Sequence, residues 1–230
     1  MTAAPIHLAG ERLMLTPEGA LVWPAAGLLA IADLHLEKGS AFAARGMLLP
    51  PWDSRATLDR LVALLRRYTP RIVLALGDSF HDATGHTRLD AADAARLRAV
   101  AASHRVIWIA GNHDPAPPAG VGGESAAVFA AGKLVFRHEP DPHLARTNAG
   151  EICGHLHPKA AIASRGGTLR RPCFVADSRR VLLPAFGTYT GGLDVADPAI
   201  ARWFGPTART FLLGRERLFS FPLTTARARA

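Results

Sequence analysis

Apolar residues cluster in three short runs, 28–32, 72–76 and 106–110, each rich in leucine, isoleucine or valine and each ending abruptly in polar residues. Runs of that length and composition predict buried strands. Between the first two, residues 54–68 carry Leu58, Leu61, Val62 and Leu65 at helical spacing, with Ser54 placed to cap the start. Residues 88–103 repeat the scheme as an alanine-rich helix. The order is β-α-β-α-β. Beyond residue 125 the pattern changes to strand-like pieces at 126–137, 151–154, 173–176 and 181–183, joined by turns and without a long helix. These readings predict an α/β fold, a two-sheet β-sandwich flanked by helices. Residues 1–223 read as one domain. The segment from Arg202 onward is basic and offers no element, and 224–230 is expected to be a disordered basic tail.

A chain of 230 residues, 49% hydrophobic, buries one sizeable core without needing a second domain. No apolar run approaches the roughly 18 residues of a membrane span. The first ten residues lack the basic start and apolar centre of a secretory signal, so the expected compartment is the cytoplasm. Two cysteines, Cys153 and Cys173, are too few for a disulfide framework or a cysteine-rich zinc knuckle, and both read as buried thiols. The formal net charge of +8 favours anionic partners, nucleic acid first among them, although a solvated surface gives the same count. Only Lys38, Lys133 and Lys159 are lysines; the other 24 of the 27 basic residues are arginine.

Five polar motifs follow the apolar runs in order: Asp33-Leu34-His35, Gly77-Asp78, Gly111-Asn112-His113-Asp114, His138, and Gly154-His155-Leu156-His157. In extended backbone residues i and i+2 share a side, so Asp33 with His35, and His155 with His157, are expected to act as two pincers. One histidine at a strand end signals little. Five of ten histidines in such motifs, beside carboxylates and an asparagine, point to metal, because burying that many polar groups unpaired is costly. The glycines before Asp78, Asn112 and His155 fit sharp turns off a sheet or close approach to a ligand.

The order DxH, GD, GNHD, H, GHxH resembles the calcineurin-like metallophosphoesterase superfamily across Asp33 to His157. That resemblance implies the four-layer metallophosphoesterase fold and a hydrolase that uses two divalent transition-metal ions and a hydroxide bridging them. It implies that Asp33, His35 and His157 hold one ion, that Asn112, His138 and His155 hold the other, and that Asp78 bridges. It makes His113 the group that stabilises or protonates the leaving oxygen, with Asp114 as its orienting partner. Carboxylate, imidazole and amide donors without thiolate suit manganese, iron or zinc, and manganese is the favoured expectation.

Two positions depart from the common pattern. His81 stands where many members carry an acid, and Gly77-Asp78-Ser79-Phe80-His81 resembles the double-strand-break repair nuclease branch, whose extra histidine lies near substrate. Arg137 rather than glycine precedes His138, which leaves His143 as an alternative ligand. Further stretches, Ala32 to Gly39, Leu49-Pro50-Pro51, Arg137-His138-Glu139-Pro140, His157-Pro158, Leu183 to Gly187 and Thr190-Gly191-Gly192, resemble the ligase-associated DNA damage response endonuclease group. The resemblance implies phosphodiesterase activity on DNA, with a DNA ligase and a helicase as associates.

Arg12, Arg45, Arg137, Arg165, Arg170, Arg171, Arg179 and Arg180 are candidates for a positive channel; Arg45 and Arg137 lead as substrate-binding residues. Trp52, Phe80 and Tyr189 are the aromatic candidates for stacking on bases, with Phe80 leaning toward the core. Three rival readings exist: a phosphatase or phosphodiesterase for a small molecule or phosphoprotein, a scaffold without catalysis, and a structural zinc module. The last needs only four ligands, fewer than are present.

Overall fold

The computed structural model describes residues 2–115, 120–164 and 167–223. The expected tail at 224–230 and Arg165 lie outside the described residues.

Two mixed sheets make the body. The first runs β1 (Ala4–Leu8), β2 (Glu11–Leu15), β3 (Leu21–Trp23), β4 (Leu28–Ala32), β5 (Ile72–Leu76), β6 (Arg105–Ile109) and β7 (Glu124–Ala126) in sequence order. Its first four strands form an antiparallel meander, and β4 to β7 are parallel. The second sheet contains β8 (Val128–Ala131), β9 (Leu134–Arg137), β10 (Gly150–Cys153), β12 (Gly167–Ala176), β13 (Arg180–Leu182), β14 (Arg209–Leu213) and β15 (Leu218–Pro222), with β11 (Lys159–Ser164) paired to β12 alone. Within it β10 lies parallel to both β9 and β13.

Leu13, Leu28, Leu74, Ile107, Leu134, Phe136, Ile152 and Phe174 come from both sheets and fill the space between them. Full burial of such side chains is worth about 1.5–3 kcal/mol each, the main stabilising term for the sandwich. On the outer face of the first sheet, α2 (Asp53–Tyr68) and α4 (Ala91–Ser103) cover a second cluster that includes Leu58, Leu61, Leu97 and Trp108. The short helices α1 (Lys38–Ala43) and α3 (Gly85–Arg88) sit in the loops after β4 and β5. A third cluster covers the outer face of the second sheet and completes the expected sandwich flanked by helices, with little helix on this side. The four-residue helix α5 (Pro198–Ala201) and the chain around it pack Val195, Ile200 and Phe204 onto Cys153, Cys173 and Leu182. Both thiols are buried and unpaired with each other, and burial raises the pKa of each.

The two long helices differ from the sequence reading only at their starts. Ser54 does not cap α2. Its hydroxyl donates to Glu37 Oε1 at 2.7 Å and accepts from the Glu37 backbone N–H at 2.8 Å, so a tertiary contact takes the group that would have capped the helix. The fourth helix begins at Ala91, where the side chain of Asp90 accepts from Ala92 N. The segment after Arg202, expected to hold no element, supplies β14 and β15. Their alternation is weak because only Thr210 and Leu212 of β14 are buried, whereas β15 is partly exposed along its length.

Candidate metal centre

Every polar motif lies at the carboxyl end of a strand: Asp33 after β4, Asp78 after β5, Asn112 after β6, His138 after β9 and His155 after β10. The parallel strands of the two sheets bring these ends to one place. Convergence there does not use extended backbone. Asp33, His35, Asp78, His155 and His157 all have positive φ, between 42° and 73°. Non-glycine residues hold that left-handed conformation at a cost of order 1 kcal/mol each, and such strain gathers at functional sites. The Asp33–His35 pincer therefore exists, made by left-handed turns rather than strand alternation, whereas His155 and His157, expected to form the second, point to different donor groups.

Asp33, His35, Asp78 and His157 bring one ligand atom each within 4.8 Å of one another, and so do Asp78, His138 and His155. Asp78 belongs to both groups. Its Oδ2 lies 3.8 Å from His35 Nε2 and 3.5 Å from His138 Nε2, while its Oδ1 accepts from His113 N at 2.9 Å. The first group has His35 Nε2 and His157 Nε2 only 3.2 Å apart, with Asp33 Oδ1 3.6 Å from the latter. The second has His155 Nδ1 3.1 Å and Asn112 Oδ1 2.9 Å from His138 Nε2. His138 Nδ1 lies 3.0 Å from Leu76 O, so it carries the proton and leaves Nε2 with a free lone pair. His143 is exposed and belongs to neither group, so the structure brings His138 and not its alternative to the cluster.

Burial drives the His35 pKa down to about 2, and nearby His157, His113, His81 and Lys38 add to the fall. Burial also lowers His155, with His138 contributing. The rings are held neutral, the form that binds a cation. Several neutral nitrogens and carboxylate oxygens facing common points repel one another unless a cation sits between them. The donor set therefore fits two divalent ions sharing Asp78.

The calcineurin-like phosphoesterase family profile matches residues 27–171 of this chain. The chain belongs to that family. This calcineurin-like phosphoesterase is a metal-dependent hydrolase of phosphate esters. Among solved structures it is similar to a Pseudomonas putida nuclease, MPE, at 30% identity and a TM-score of 0.73, covering 96% of this chain and 100% of that one. It also matches the phosphoesterase Yfce of E. coli at 15% identity and a TM-score of 0.41, covering 86% of this chain and 94% of that one. No curated protein sequence matches.

The remaining site residues surround the phosphoesterase cluster. His113 is exposed, and its ring packs edge-on to His35 at 5.2 Å and stacks on His81 at 5.5 Å. Its Nδ1 lies 2.9 Å from the backbone oxygen of His81. The expectation that Asp114 orients His113 is corrected here, because Asp114 Oδ2 instead accepts from Phe80 N at 2.9 Å and fixes the loop that carries Asp78 and His81. Burial pushes the Asp114 pKa up to about 7, with the Asp78 charge adding to the rise and the Phe80 N–H opposing it. His81 is lowered by burial and by Lys38 and His113. With His35 and His113 it forms a third set of ring nitrogens within metal-binding reach.

Two nominated arginines turn out to be structural. Arg180 is buried, bonded to Glu151, and Arg137 reaches Asp141 at 3.0 Å and Glu151 at 3.4 Å. Charge neutralisation by these carboxylates leaves neither guanidinium for a phosphate, against the expectation for Arg137. Arg45 is exposed on the turn after α1, near enough to lower the His81 pKa. Phe80 is 2% exposed and belongs to the core, which removes it from base stacking; Trp52 is 65% and Tyr189 38% exposed.

Sequence reasoning missed the segment that backs the site. Ala185 bridges Ala32, Phe186 N and Gly187 N donate to Ala32 O and Asp33 O, and Thr188 N donates to Thr57 Oγ1. A Cβ on Gly187 would stand 2.0 Å from Leu34 O, and one on Gly192 2.2 Å from His157 O. The glycines at 187 and 192 were visible, and only the fold shows what they approach.

Proposed function

We propose that this phosphoesterase is a phosphodiesterase that cleaves DNA, in a DNA-repair setting alongside a DNA ligase and a helicase, in the cytoplasm. The observation that carries the reading is the pair of donor groups joined through Asp78, with His113 on their open side. The 30% identical nuclease neighbour, which the chain covers in full, supports DNA as the substrate. The sequence resemblance to the ligase-associated endonuclease group supports the repair setting.

In this reading Asp33, His35 and His157 hold one divalent ion, Asn112, His138 and His155 the other, and Asp78 both, with manganese the favoured metal and iron or zinc alternatives. When bound, such a pair polarises the phosphoryl oxygens and supplies a water nucleophile near neutral pH. The protein's part is orientation and proton control. The Leu76 carbonyl fixes the His138 tautomer, and the His155 N–H steadies Asp33 at 2.9 Å. His113, held through Nδ1 by the His81 carbonyl, presents Nε2 to the leaving oxygen and gives it a proton. His81 and Arg45 contact the sugar and phosphate beside the scissile bond. Arg137 acts only indirectly, by pinning the Asp141 loop.

The test is hydrolysis of an aryl phosphodiester, an aryl phosphomonoester, and labelled single- and double-stranded DNA by manganese-loaded protein, with Asp78→Asn as control. Cleavage of the diester and DNA that disappears in the variant supports the proposal. Turnover of the monoester alone refutes the nuclease reading and makes the protein a phosphatase.

A further inference from the structure

The basic residues of the described chain fall into two kinds. Arginines such as Arg88, Arg105 and Arg180 have a carboxylate within ion-pair distance. Lys38, Lys159, Arg45 and Arg170 have none among the described residues. Lys38 opens α1, with its Nζ 5.6 Å from the Phe42 ring, and that ring is 5.8 Å from His81. Lys159 follows His157 by two residues, and its Nζ donates to Thr190 O at 3.2 Å. Arg170 donates to Gly192 O at 3.4 Å, on the same backing segment that touches His157.

The hairpin carrying Lys159 and Arg170 has an unusual form. Its first strand, β11, pairs with β12 and, beyond a single bridge from Lys159 to Asp194, with no other strand; residues 167–171 of β12 are exposed, so a two-stranded ribbon projects from the metal side of the second sheet. Residue pairing places Ala161 opposite Arg170 and Lys159 opposite Pro172, which puts both cations on one ribbon face. From Lys159 to Ala176 the sequence has no acidic residue.

Two of the chain's three lysines thus sit near each other. Lys159 acts electrostatically on Lys38, and Arg170 on Lys159. Asp53 attracts Lys38 only from beyond ion-pair distance. Crowding like charges without a carboxylate costs folding stability, and a bound polyanion relieves that cost. The opposite side of the cluster carries exposed Glu139 near His155.

We infer that Lys38, Lys159 and Arg170 form a track for the phosphate backbone of duplex DNA, on the side of the centre occupied by Asp33, His35 and His157, with the β11–β12 ribbon against the duplex. A two-stranded ribbon is an element that fits a DNA groove, and phosphate contacts fix register without reading sequence. The inference rests on the nucleic-acid reading above and deepens it by naming the side of the centre along which the strand runs.

The experiment titrates a labelled duplex with metal-loaded protein by fluorescence anisotropy over a range of salt, read before cleavage sets in. In parallel, KM is measured for duplex DNA and for an aryl phosphodiester. The Lys38→Ala/Lys159→Ala/Arg170→Ala triple variant is compared with parent, with Lys38→Arg/Lys159→Arg, which keeps the charge, and with Arg66→Ala at the far end of α2. We expect the log–log salt slope of the alanine variant to fall by about 0.9 per lost contact. Its duplex KM rises at least about tenfold more than its aryl diester KM, as loss of salt-dependent phosphate contacts requires. The arginine variant and Arg66→Ala keep the parent slope. Unchanged duplex affinity and slope in the alanine variant, or an equal KM rise for both substrates, overturns the track. Because anisotropy needs no turnover, a protein that binds duplex through these residues but cleaves no diester would refute the proposed activity and leave the track standing.

Discussion

His113 Nδ1 lies 2.9 Å from the backbone oxygen of His81. A carbonyl only accepts, so Nδ1 holds a proton in either charge state of the ring, and proton exchange with a substrate is confined to Nε2. Position 81, three residues after Asp78, thus supplies its main chain to His113 instead of a side chain.

This geometry sets the outcome for His113→Gln. Turnover of DNA is expected to fall by about 10² to 10⁴, the usual worth of general acid catalysis. An aryl diester, whose leaving group departs without a proton, should lose much less. Equal losses on both substrates in steady-state assays would rule out proton donation by His113.

Gly77 has φ of +74°, and a Cβ there would stand 2.2 Å from His138 Nδ1. In Gly77→Ala the left-handed conformation alone costs about 1–2 kcal/mol, and the ring of His138 is pushed off Leu76 O. The expected result is a lower melting temperature together with loss of one of two bound metals by elemental analysis. Two metals retained at parent affinity would show that His138 is not a ligand.

Burial pushes the Asp114 carboxyl in the folded state up to about 7 from its ordinary value of 3.8. The unfolded state therefore binds fewer protons than the native state between those values, and the contribution of Asp114 to stability declines as pH rises through that window. Asp114→Asn removes the decline while keeping an oxygen for Phe80 N. In metal-stripped protein, the stability of the variant relative to parent should increase from about pH 4 to about pH 7 and level off above. Urea unfolding across that range checks the sign. A variant stability that falls relative to parent with rising pH contradicts the assignment.

Glu151 is fully buried, accepts from Arg180 and from the backbone of Asp141, and forms an ion pair with Arg137 at 3.4 Å. Glu151→Ala strands the buried Arg180 charge and is expected to cost about 3–5 kcal/mol. The double change Glu151→Leu/Arg180→Met should cost far less, because it removes both charges together. Chemical denaturation of the two variants separates a stranded charge from lost packing.

Much of this protein was legible along its sequence. The strands Leu28–Ala32 and Ile72–Leu76 coincide with the predicted runs, and the next begins one residue early, at Arg105. Buried parallel strands are apolar on both faces and stand out without reference to neighbours. The ligand candidates were equally visible, because aspartate, histidine and asparagine at successive strand ends recur in a fixed order. The β14–β15 hairpin was not, since its exposed residues imitate a basic tail. Ser54 read as a cap because the partner it prefers, Glu37, is 17 residues away.

The sequence by itself determined which residue types reach the carboxyl ends of the strands, and hence the family and its metal chemistry. Only the tertiary structure decided how they converge, through left-handed backbone at Asp33, His35, Asp78, His155 and His157 that surrounding packing enforces. It also separated arginines by their carboxylates, taking Arg137 and Arg180 out of the substrate path and leaving Lys38, Lys159 and Arg170 beside the centre without such partners. Charge is written in the sequence, but whether a charge is neutralised depends on what the fold places within about 4 Å of it.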